Sequence, residues 1–262
     1  MTRTPWSARA LLALLALLAL GPVLALIVQA MAASWRFHAL YPADTGFEAF
    51  ANLLVSHRLR SALLMSLGLA LATGATAMVL GFWAGRALSG AAGAVRRVGA
   101  MAAFLPVVAP PIALGIGLQV VVLKAGLGGD WQGVLLAHLV PATGYVTLYF
   151  LGVLSAYDDG MEEEARTLGA NRWQVLRRIT VPALRRRLAE ALVLGALVSW
   201  GQLALTLLVG GGAVRTLPVE LLSLLQSGDD RVGAAAAVAL TIPPLLALGL
   251  LQVGARRAGS HT

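Results

Sequence analysis

Charged side chains that could do acid–base chemistry are concentrated in one segment, Tyr157–Arg187, which holds five acidic residues and seven arginines. The four histidines are too scattered in the sequence for an evident metal site; they are His38, His57, His138 and His261. No H-E-x-x-H or G-x-S-x-G motif occurs, and cysteine is absent, which excludes thiol catalysis. We therefore expect no catalytic residue and no metal site, and a polytopic membrane enzyme stands only as an alternative.

The composition is that of a membrane protein. Apolar residues make up 58% of the 262 residues, charged residues only 12%, and the mean hydropathy is +0.80, whereas soluble domains carry about 25% charged residues. The net charge of +8 does not indicate nucleic-acid binding, because the basic residues lie between apolar runs. Lysine occurs once, at Lys124, and no G-x-x-x-x-G-K-[ST] motif is present. The chain therefore carries no P-loop ATPase of its own.

Six apolar segments are long enough to cross a bilayer, which takes about 20 residues of helix. The third contains Pro106, Pro110 and Pro111, so we expect a kink or break near its middle. The first exceeds the apolar length of a signal peptide and is interpreted as an uncleaved span. The predicted spans are Ala10–Met31, Ala62–Gly85, Val98–Leu123, Gly133–Leu154, Leu188–Val209 and Val232–Val253.

The distribution of basic residues predicts the orientation of the chain. With both termini in the cytoplasm, fourteen of the 20 basic residues, among them Arg3, lie inside and six, among them Arg36, lie outside. This agrees with the positive-inside rule, and the opposite topology would invert it. The segment Tyr157–Arg187 then lies in the cytoplasm between the fourth and fifth spans. The outer loop Ala32–Arg60 is expected to be partly an interfacial helix.

Within the charged segment, the residue pattern predicts two short helices around a glycine. Glu162–Leu168 has strong helix formers with acids in its first turn, where the helix dipole favours them. Gly169 supplies the permissive backbone that a sharp turn needs. Asn171 is expected to cap the second helix, Arg172–Ile179. Pro182 is expected to stop that helix before the fifth span.

Five positions in this segment form a spaced pattern, E-x-A-x3-G-x9-I-x-x-P, made by Glu163, Ala165, Gly169, Ile179 and Pro182. The pattern resembles the EAA loop of the permease subunits of binding-protein-dependent ABC importers. Its position between the fourth and fifth predicted spans suits that resemblance. The middle residue of the family's E-A-A is Glu164 here, a position that varies in the family. The alternative is an ordinary amphipathic loop whose arginines meet lipid headgroups.

The resemblance covers roughly Arg58 to Arg257 and implies an all-α membrane protein of about six transmembrane helices. The fold would be that of a type I ABC importer permease, with a cytoplasmic coupling helix between spans four and five. Residues 1–57 would form an N-terminal helix and outer loop, 58–257 the permease domain with its coupling loop 157–187, and 258–262 a cytoplasmic tail. The residues it implies for coupling are Glu163, Glu164, Ala165, Gly169, Ile179 and Pro182.

The same resemblance implies the partners. The chain would form half of a translocation pore in the bacterial inner membrane with a second permease subunit, identical or a sister chain. It would couple solute uptake to an ABC ATP-binding subunit dimer. That dimer would bind the ATP and magnesium, so this chain itself would hold no cofactor. A periplasmic or lipid-anchored solute-binding protein would deliver the solute.

Only a resemblance of two sequence runs indicates the class of solute. The runs Phe104–Gln119 and Leu207–Asp230 look most like the iron(III)/thiamine/polyamine subgroup of the family. An ion-coupled secondary transporter is a further alternative, but such proteins usually carry ionisable residues near the midplane. The spans here are almost free of charge, which favours an ATP-powered partner system.

Polar residues inside the predicted spans are candidates for the solute path because they are costly in lipid and often functional. They are Gln119, Thr143, Ser199 and Gln202, with His138 as a further candidate. The alternative for each is a hydrogen bond between helices.

Other residues in and near the spans are expected to have structural roles. Glu190 is expected to pair with Arg186 one turn earlier. Gly74, Gly81 and Gly85 are expected to allow close helix packing. Gly210–Gly212 is expected to form a flexible turn or a gate loop.

Overall fold

The computed structural model describes residues 6–35, 42 and 44–259. Predictions that concern Arg3, Arg36, His38, His261 and residues 260–262 of the tail lie outside the described residues. The described helices are α1 Trp6–Met31, α2 Glu48–Val55, α3 His57–Ser89, α4 Gly93–Val108, α5 Pro111–Lys124, α6 Trp131–Ser155, α7 Gly160–Thr167, α8 Arg172–Val175, α9 Val181–Trp200, α10 Ala204–Gly210, α11 Leu217–Gln226 and α12 Asp230–Gly259.

The all-α class is confirmed, with one small addition. Strands β1 (Ala32–Ser34) and β2 (Asp44–Thr45) pair antiparallel in an irregular register. A ribbon this short does not change the fold class, because independent stability takes three or more strands or packing against a helix.

Four of the described helices are long and apolar enough to cross a membrane: Ala8–Met31, His57–Ser89, Trp131–Ser155 and Asp230–Ala247. Two bent helix pairs pass the same test together, which brings the number of candidate spans to as many as six. The six predicted segments coincide in position with these four helices and two pairs. Most leucines of α1 are more than half exposed, as expected of a helix that faces lipid.

The third predicted span is broken, as its prolines indicated. Helices α4 and α5 meet at an angle of 105°. Ala109 is extended, with ψ of 136°, because the ring of Pro110 disfavours helical geometry in the residue before it. Pro111 then occupies the first turn of α5, where a missing N–H costs nothing.

The fifth predicted span, Leu188–Val209, is interrupted by a break that was not predicted. Helix α9 ends at Trp200, and α10 begins at Ala204 at an angle of 64°. Gly201 follows the end of α9 and has the low helix propensity of glycine. Hydrogen bonds from polar side chains hold both sides of this break, as described below.

The prediction that Pro182 stops the loop helix is wrong. A π-helical turn, Leu176–Thr180, joins α8 to α9, and the helix runs on from Arg172 to Trp200. In the π-turn the Val181 N–H donates to the carbonyl of Leu176, five residues back. Pro182 comes directly after this turn, in the first turn of α9. The wider turn accommodates a residue that has no N–H to give.

The described residues form two compact units. The first is drawn from Met1–Leu63 and Leu217–Leu246. In it, Glu220 of α11 is buried and accepts a hydrogen bond from Arg58 Nε at 2.5 Å. Arg231 of α12 donates to the Glu48 carboxylate at 3.1 Å. Helix α2 confirms the expected helix in the outer loop, whereas α11 was not predicted because it is too short to span.

The second unit is drawn from Leu64–Thr216 and Ala247–Thr262. Its core has two apolar clusters, one where α3, α5, α6 and α10 meet and one where α3, α6 and α9 meet. The expectation of close packing at three glycines of α3 is confirmed. A Cβ on Gly81 would lie 2.6 Å from Val146, a Cβ on Gly85 would lie 2.6 Å from Phe150, and a Cβ on Gly74 would collide with α9.

Candidate coupling site

Helix α7 ends in a glycine-dependent turn. The Gly169 N–H donates to the carbonyl of Arg166 at 3.0 Å, and the Ala170 N–H donates to that of Ala165 at 2.9 Å. This pair of bonds is the Schellman motif, which requires a left-handed residue directly after the helix. Gly169 takes that conformation with φ of +90°. The predicted turn at Gly169 is therefore confirmed.

The next helix begins with a capping box. Asn171 Oδ1 accepts the backbone N–H of Gln174 at 2.8 Å, and Gln174 Oε1 accepts the backbone N–H of Asn171 at 2.8 Å. The cap at Asn171 is as predicted. The reciprocal bond from Gln174 was not predicted, although the N-x-x-Q spacing is a recognisable signal for it.

The turn and the cap bring three of the six candidate coupling residues together. Ala165, Gly169 and Ile179 line one surface cleft of about 430 Å³. Glu163 and Glu164 are exposed on α7, and Pro182 lies in α9 outside this lining. Large apolar side chains are exposed in the same segment: Met161 at 68%, Leu168 at 82% and Trp173 at 65%.

Glu162, which was not among the candidates, is the residue that secures this segment. Its side chain is 1% exposed. It accepts hydrogen bonds from Arg86 Nη2 at 2.5 Å, from Thr180 Oγ1 at 2.6 Å and from Arg166 Nη2 at 3.1 Å. Burial raises the pKa of Glu162, but the hydrogen bonds from Arg86 and Thr180 and the charges of both arginines outweigh it. The pKa therefore lies below its ordinary value.

A second polar cluster lies within the spans and holds the break between α9 and α10. His138 of α6 is buried, and its ring nitrogens are hydrogen-bonded to Ser199 Oγ at 2.8 Å and Thr206 Oγ1 at 3.0 Å. Thr206 gives its own proton to the carbonyl of Gln202 at 2.8 Å. Its oxygen must therefore accept from His138 Nε2–H, and in a neutral ring Nδ1 then accepts from Ser199. One side chain thus joins the helices on both sides of the break.

The four candidate pore residues differ in their burial and in their surroundings. Ser199 is buried beside His138, which favours the interhelical hydrogen bond that was its alternative. Gln202 is half-buried and lines a cleft of about 450 Å³ where the α4–α5 and α9–α10 breaks meet; the other residues of that cleft are apolar or glycine. Gln119 and Thr143 are half-buried. Contact of any of the four with solute stays a prediction.

Two smaller expectations are confirmed. Arg186 Nε donates to the Glu190 carboxylate at 2.9 Å, and Arg187 and Tyr149 donate to the same group. Gly211 and Gly212 have positive φ and form the expected turn, whereas Gly210 is the last residue of α10. Within the described ranges 6–35, 42 and 44–259, no group of three His, Cys, Asp or Glu side chains is placed to hold a metal ion.

Apolar helices with two breaks, and a surface segment that joins charge to exposed apolar side chains, define a multi-pass helical membrane protein. The chain belongs to the family of binding-protein-dependent transport system inner membrane components, which matches residues 77–257. It is therefore a permease subunit of a type I ABC importer in the bacterial inner membrane. The resemblance indicated by the EAA-like pattern is confirmed.

Named relatives are transport permeases rather than enzymes. PhnV of Salmonella typhimurium, provisionally named a 2-aminoethylphosphonate transport system permease protein, is 28% identical over 240 residues, covering 91% of the chain and 89% of PhnV. The spermidine/putrescine transport system permease protein PotC of Haemophilus influenzae is 26% identical over 159 residues, covering 60% of the chain and 61% of PotC. Family membership decides against the secondary-transporter and membrane-enzyme alternatives.

A solved structure shows the same fold. It is that of a bacterial alginate ABC transporter in complex with an alginate pentasaccharide-bound periplasmic protein. One of its chains matches this chain with a TM-score of 0.71 at 16% identity, covering 97% of this chain and 94% of that chain.

Proposed function

We propose that the loop 157–187 docks onto a separate ATP-binding subunit and couples its hydrolysis cycle to solute uptake. The observation that carries this proposal is the convergence of Ala165, Gly169 and Ile179 on one cleft. Small residues at two of these positions leave room for another protein's surface. The exposed Leu168 and Trp173 offer the apolar area that anchors protein interfaces.

The partner, rather than this chain, binds ATP and magnesium. Closure of the ATPase dimer would draw the docked loops together and turn the pore from inward- to outward-facing. Because α8, the π-turn and α9 form one continuous helix from Arg172 to Trp200, a displacement at the loop reaches the α9–α10 break directly. In this proposal Glu163 and Glu164 supply charged contacts at the rim of the docking surface.

The remaining partners are assigned from the predicted topology and from membership of the importer family. Both termini lie in the cytoplasm, where fourteen of the 20 basic residues then reside. A second permease subunit, identical or a sister chain, completes the pore. A solute-binding protein, periplasmic or lipid-anchored, docks on the opposite face. The alginate transporter structure, which includes a periplasmic protein, supports that last assignment.

We propose that the solute is a small aliphatic amine, a compound whose amino groups are on alkyl carbons. Two relatives are named for such compounds, 2-aminoethylphosphonate and spermidine/putrescine, and the polyamine class was one of the three indicated by the sequence pattern. The path would pass the mainly apolar cleft at the two helix breaks, where Gln202 supplies an amide. Iron(III) and thiamine, the other two classes, are alternative outcomes of the test.

Co-purification of the tagged chain with its ATPase tests the docking surface. Gly169→Asp places a side chain where φ is +90° and adds a negative charge to the cleft. Nothing lies within 4 Å of the added Cβ, so the spans stay packed. Gly90→Asp is the matched control: it makes the same change at an exposed glycine of another predicted inner turn, without a positive φ.

We expect a P-loop ATPase to co-purify with the unmodified chain and with Gly90→Asp, and to be lost from Gly169→Asp. Equal recovery with all three chains would refute the docking assignment. A second permease sequence in the eluate would identify a heterodimer, and its absence with intact ATPase a homodimer.

Ligand binding by the associated binding protein tests the solute class. Thermal shifts would be measured with spermidine, 2-aminoethylphosphonate, thiamine and an iron(III) chelate. Stabilisation by an amine alone supports the proposal. Stabilisation by thiamine or iron(III) alone would refute the amine assignment and leave the permease assignment intact.

A further inference from the structure

Glu162 stands apart from its neighbours in α7. Met161 is 68% exposed and Glu163 is exposed, yet Glu162 is 1% exposed. A buried carboxylate is unfavourable unless it is paired and hydrogen-bonded. The position of this charge therefore has to be explained by its partners.

The partners come from three parts of the second unit. Arg86, in the last turn of α3, places Nη2 at 2.5 Å and Nη1 at 3.5 Å from the two carboxylate oxygens. Thr180, in the π-turn that leads into α9, donates at 2.6 Å. Arg166 donates at 3.1 Å from within α7 itself. A single carboxylate thus ties α7 to the end of one long helix and to the start of another.

The electrostatics keep Glu162 charged. The net effect of burial and its partners lowers the pKa of Glu162, which stays ionised at neutral pH. Burial, followed by the negative charge of Glu162, raises the pKa of the Tyr157 hydroxyl, although the charge of Arg86 acts in the opposite direction. The hydroxyl therefore stays neutral. Charge-assisted, two-pronged arginine bonds of this kind are stronger and more directional than neutral ones.

The two helices joined in this way are mechanically connected to the spans. Gly81 and Gly85 seat α3 closely on α6, so Arg86 extends from a tightly packed helix. Thr180 lies in the helix that runs without interruption to Trp200. Because packed helices move as rigid bodies, a push on α7 reaches α3 through this junction. The junction also couples α7 to α9, in addition to the backbone connection through α8.

We propose that Glu162 is a positioning residue that couples movement of α7 to α3 and strengthens its coupling to α9, so that the docked ATPase moves α3 and α9 together. The inference rests on the docking function proposed above. Glu162 acts through Arg86 and Thr180, and no contact of its own with the ATPase is needed, since it is buried.

The test uses the purified permease–ATPase complex and needs no knowledge of the solute. The chain contains no cysteine, so Leu203→Cys, in the α9–α10 break beside the cleft, provides a single labelling site. The measurement is the ratio of maleimide labelling rates with and without ATP and vanadate. Glu162→Gln is compared with Asp130→Asn, a carboxylate-to-amide change at an exposed residue outside the docking loop.

We expect Glu162→Gln to keep the ATPase bound but to reduce the nucleotide-dependent labelling ratio by about 2- to 30-fold, the range for residues along a coupling network. Asp130→Asn should leave the ratio unchanged. If Glu162→Gln does not fold, Arg86→Lys serves instead, since it keeps the charge and loses the two-pronged contact.

An unchanged ratio in Glu162→Gln would overturn the inference while leaving the docking function standing. Loss of the ATPase from Glu162→Gln would also overturn it, because the residue would then support the docking surface itself. No nucleotide response in the unmodified complex, or no bound ATPase, would instead refute the proposed function.

Discussion

Gly74→Ala tests whether α3 and α9 are in backbone contact. A Cβ built on Gly74 would lie 2.6 Å from the carbonyl oxygen of Leu192 and 2.9 Å from the backbone nitrogen of Ala196. Both are backbone atoms of a helix, so they cannot swing aside as the end of a side chain can. Gly195 approaches from the other side, since its own added Cβ would lie 3.1 Å from the Gly74 Cα.

A matched control in the same helix separates the overpacking cost of Gly74→Ala from its effect on helix propensity. Gly68→Ala makes the identical change in α3 with nothing within 4 Å of the new Cβ. Alanine improves helix propensity by about 0.5–1 kcal/mol at either position. That gain is common to both variants, so their difference reports the cost of overpacking, about 1–3 kcal/mol.

The assay is unfolding of the purified chain in mild detergent, by heat and by SDS titration. We expect Gly68→Ala to unfold at or above the temperature of the unmodified chain and Gly74→Ala to unfold below it. Equal stability of the two variants would refute the close approach of α3 and α9.

Three further predictions concern the polar groups. Ser199→Ala and Thr206→Val each remove one hydroxyl partner of buried His138. Each should lower stability in the same assay by about 0.6 kcal/mol, the average for hydrogen bonds between membrane helices, and by no more than about 1.7 kcal/mol. An unchanged unfolding midpoint would contradict the cluster. Gln202→Leu should change the rate or apparent affinity of uptake, and unaltered values of both would assign that side chain to packing. The pKa of Glu162 in the folded chain lies below its ordinary value of 4.5, so its contribution to stability is complete above pH 4.5 and is lost as the pH falls through the pKa of the folded state. Glu162→Gln should therefore reduce the loss of stability at acid pH. Parallel pH profiles of the variant and the unmodified chain would count against the buried ion pair.

Features encoded by neighbouring residues were predictable. The break at Ala109–Pro110, the turn at Gly169 and the cap at Asn171 each follow from the stereochemistry of one or two residues. The Glu190–Arg186 pair follows from helical spacing alone. Hydropathy located all six candidate spans, because a bilayer requires an apolar run of fixed length whatever the tertiary contacts.

Features that depend on distant partners were missed. The break in Leu188–Val209 was not predicted, because an apolar run does not show where His138, 61 residues before Ser199, will hold it. Pro182 was expected to end a helix, but the π-turn before it removes the need for its N–H. Glu162 looked like one of three equivalent acids, since its partner Arg86 lies 76 residues earlier.

The amino-acid sequence by itself determined the class of this protein: its membrane location, its helical spans and the loop pattern that marks an importer permease. These depend on composition and short spacings, which the chain carries in any conformation. The tertiary structure alone decided which of the loop's acids is buried, which polar side chains join helices and where the fifth span breaks. Those outcomes depend on which surfaces meet in the folded chain, because a buried charge or hydroxyl is stabilised only by the partner that packing brings to it.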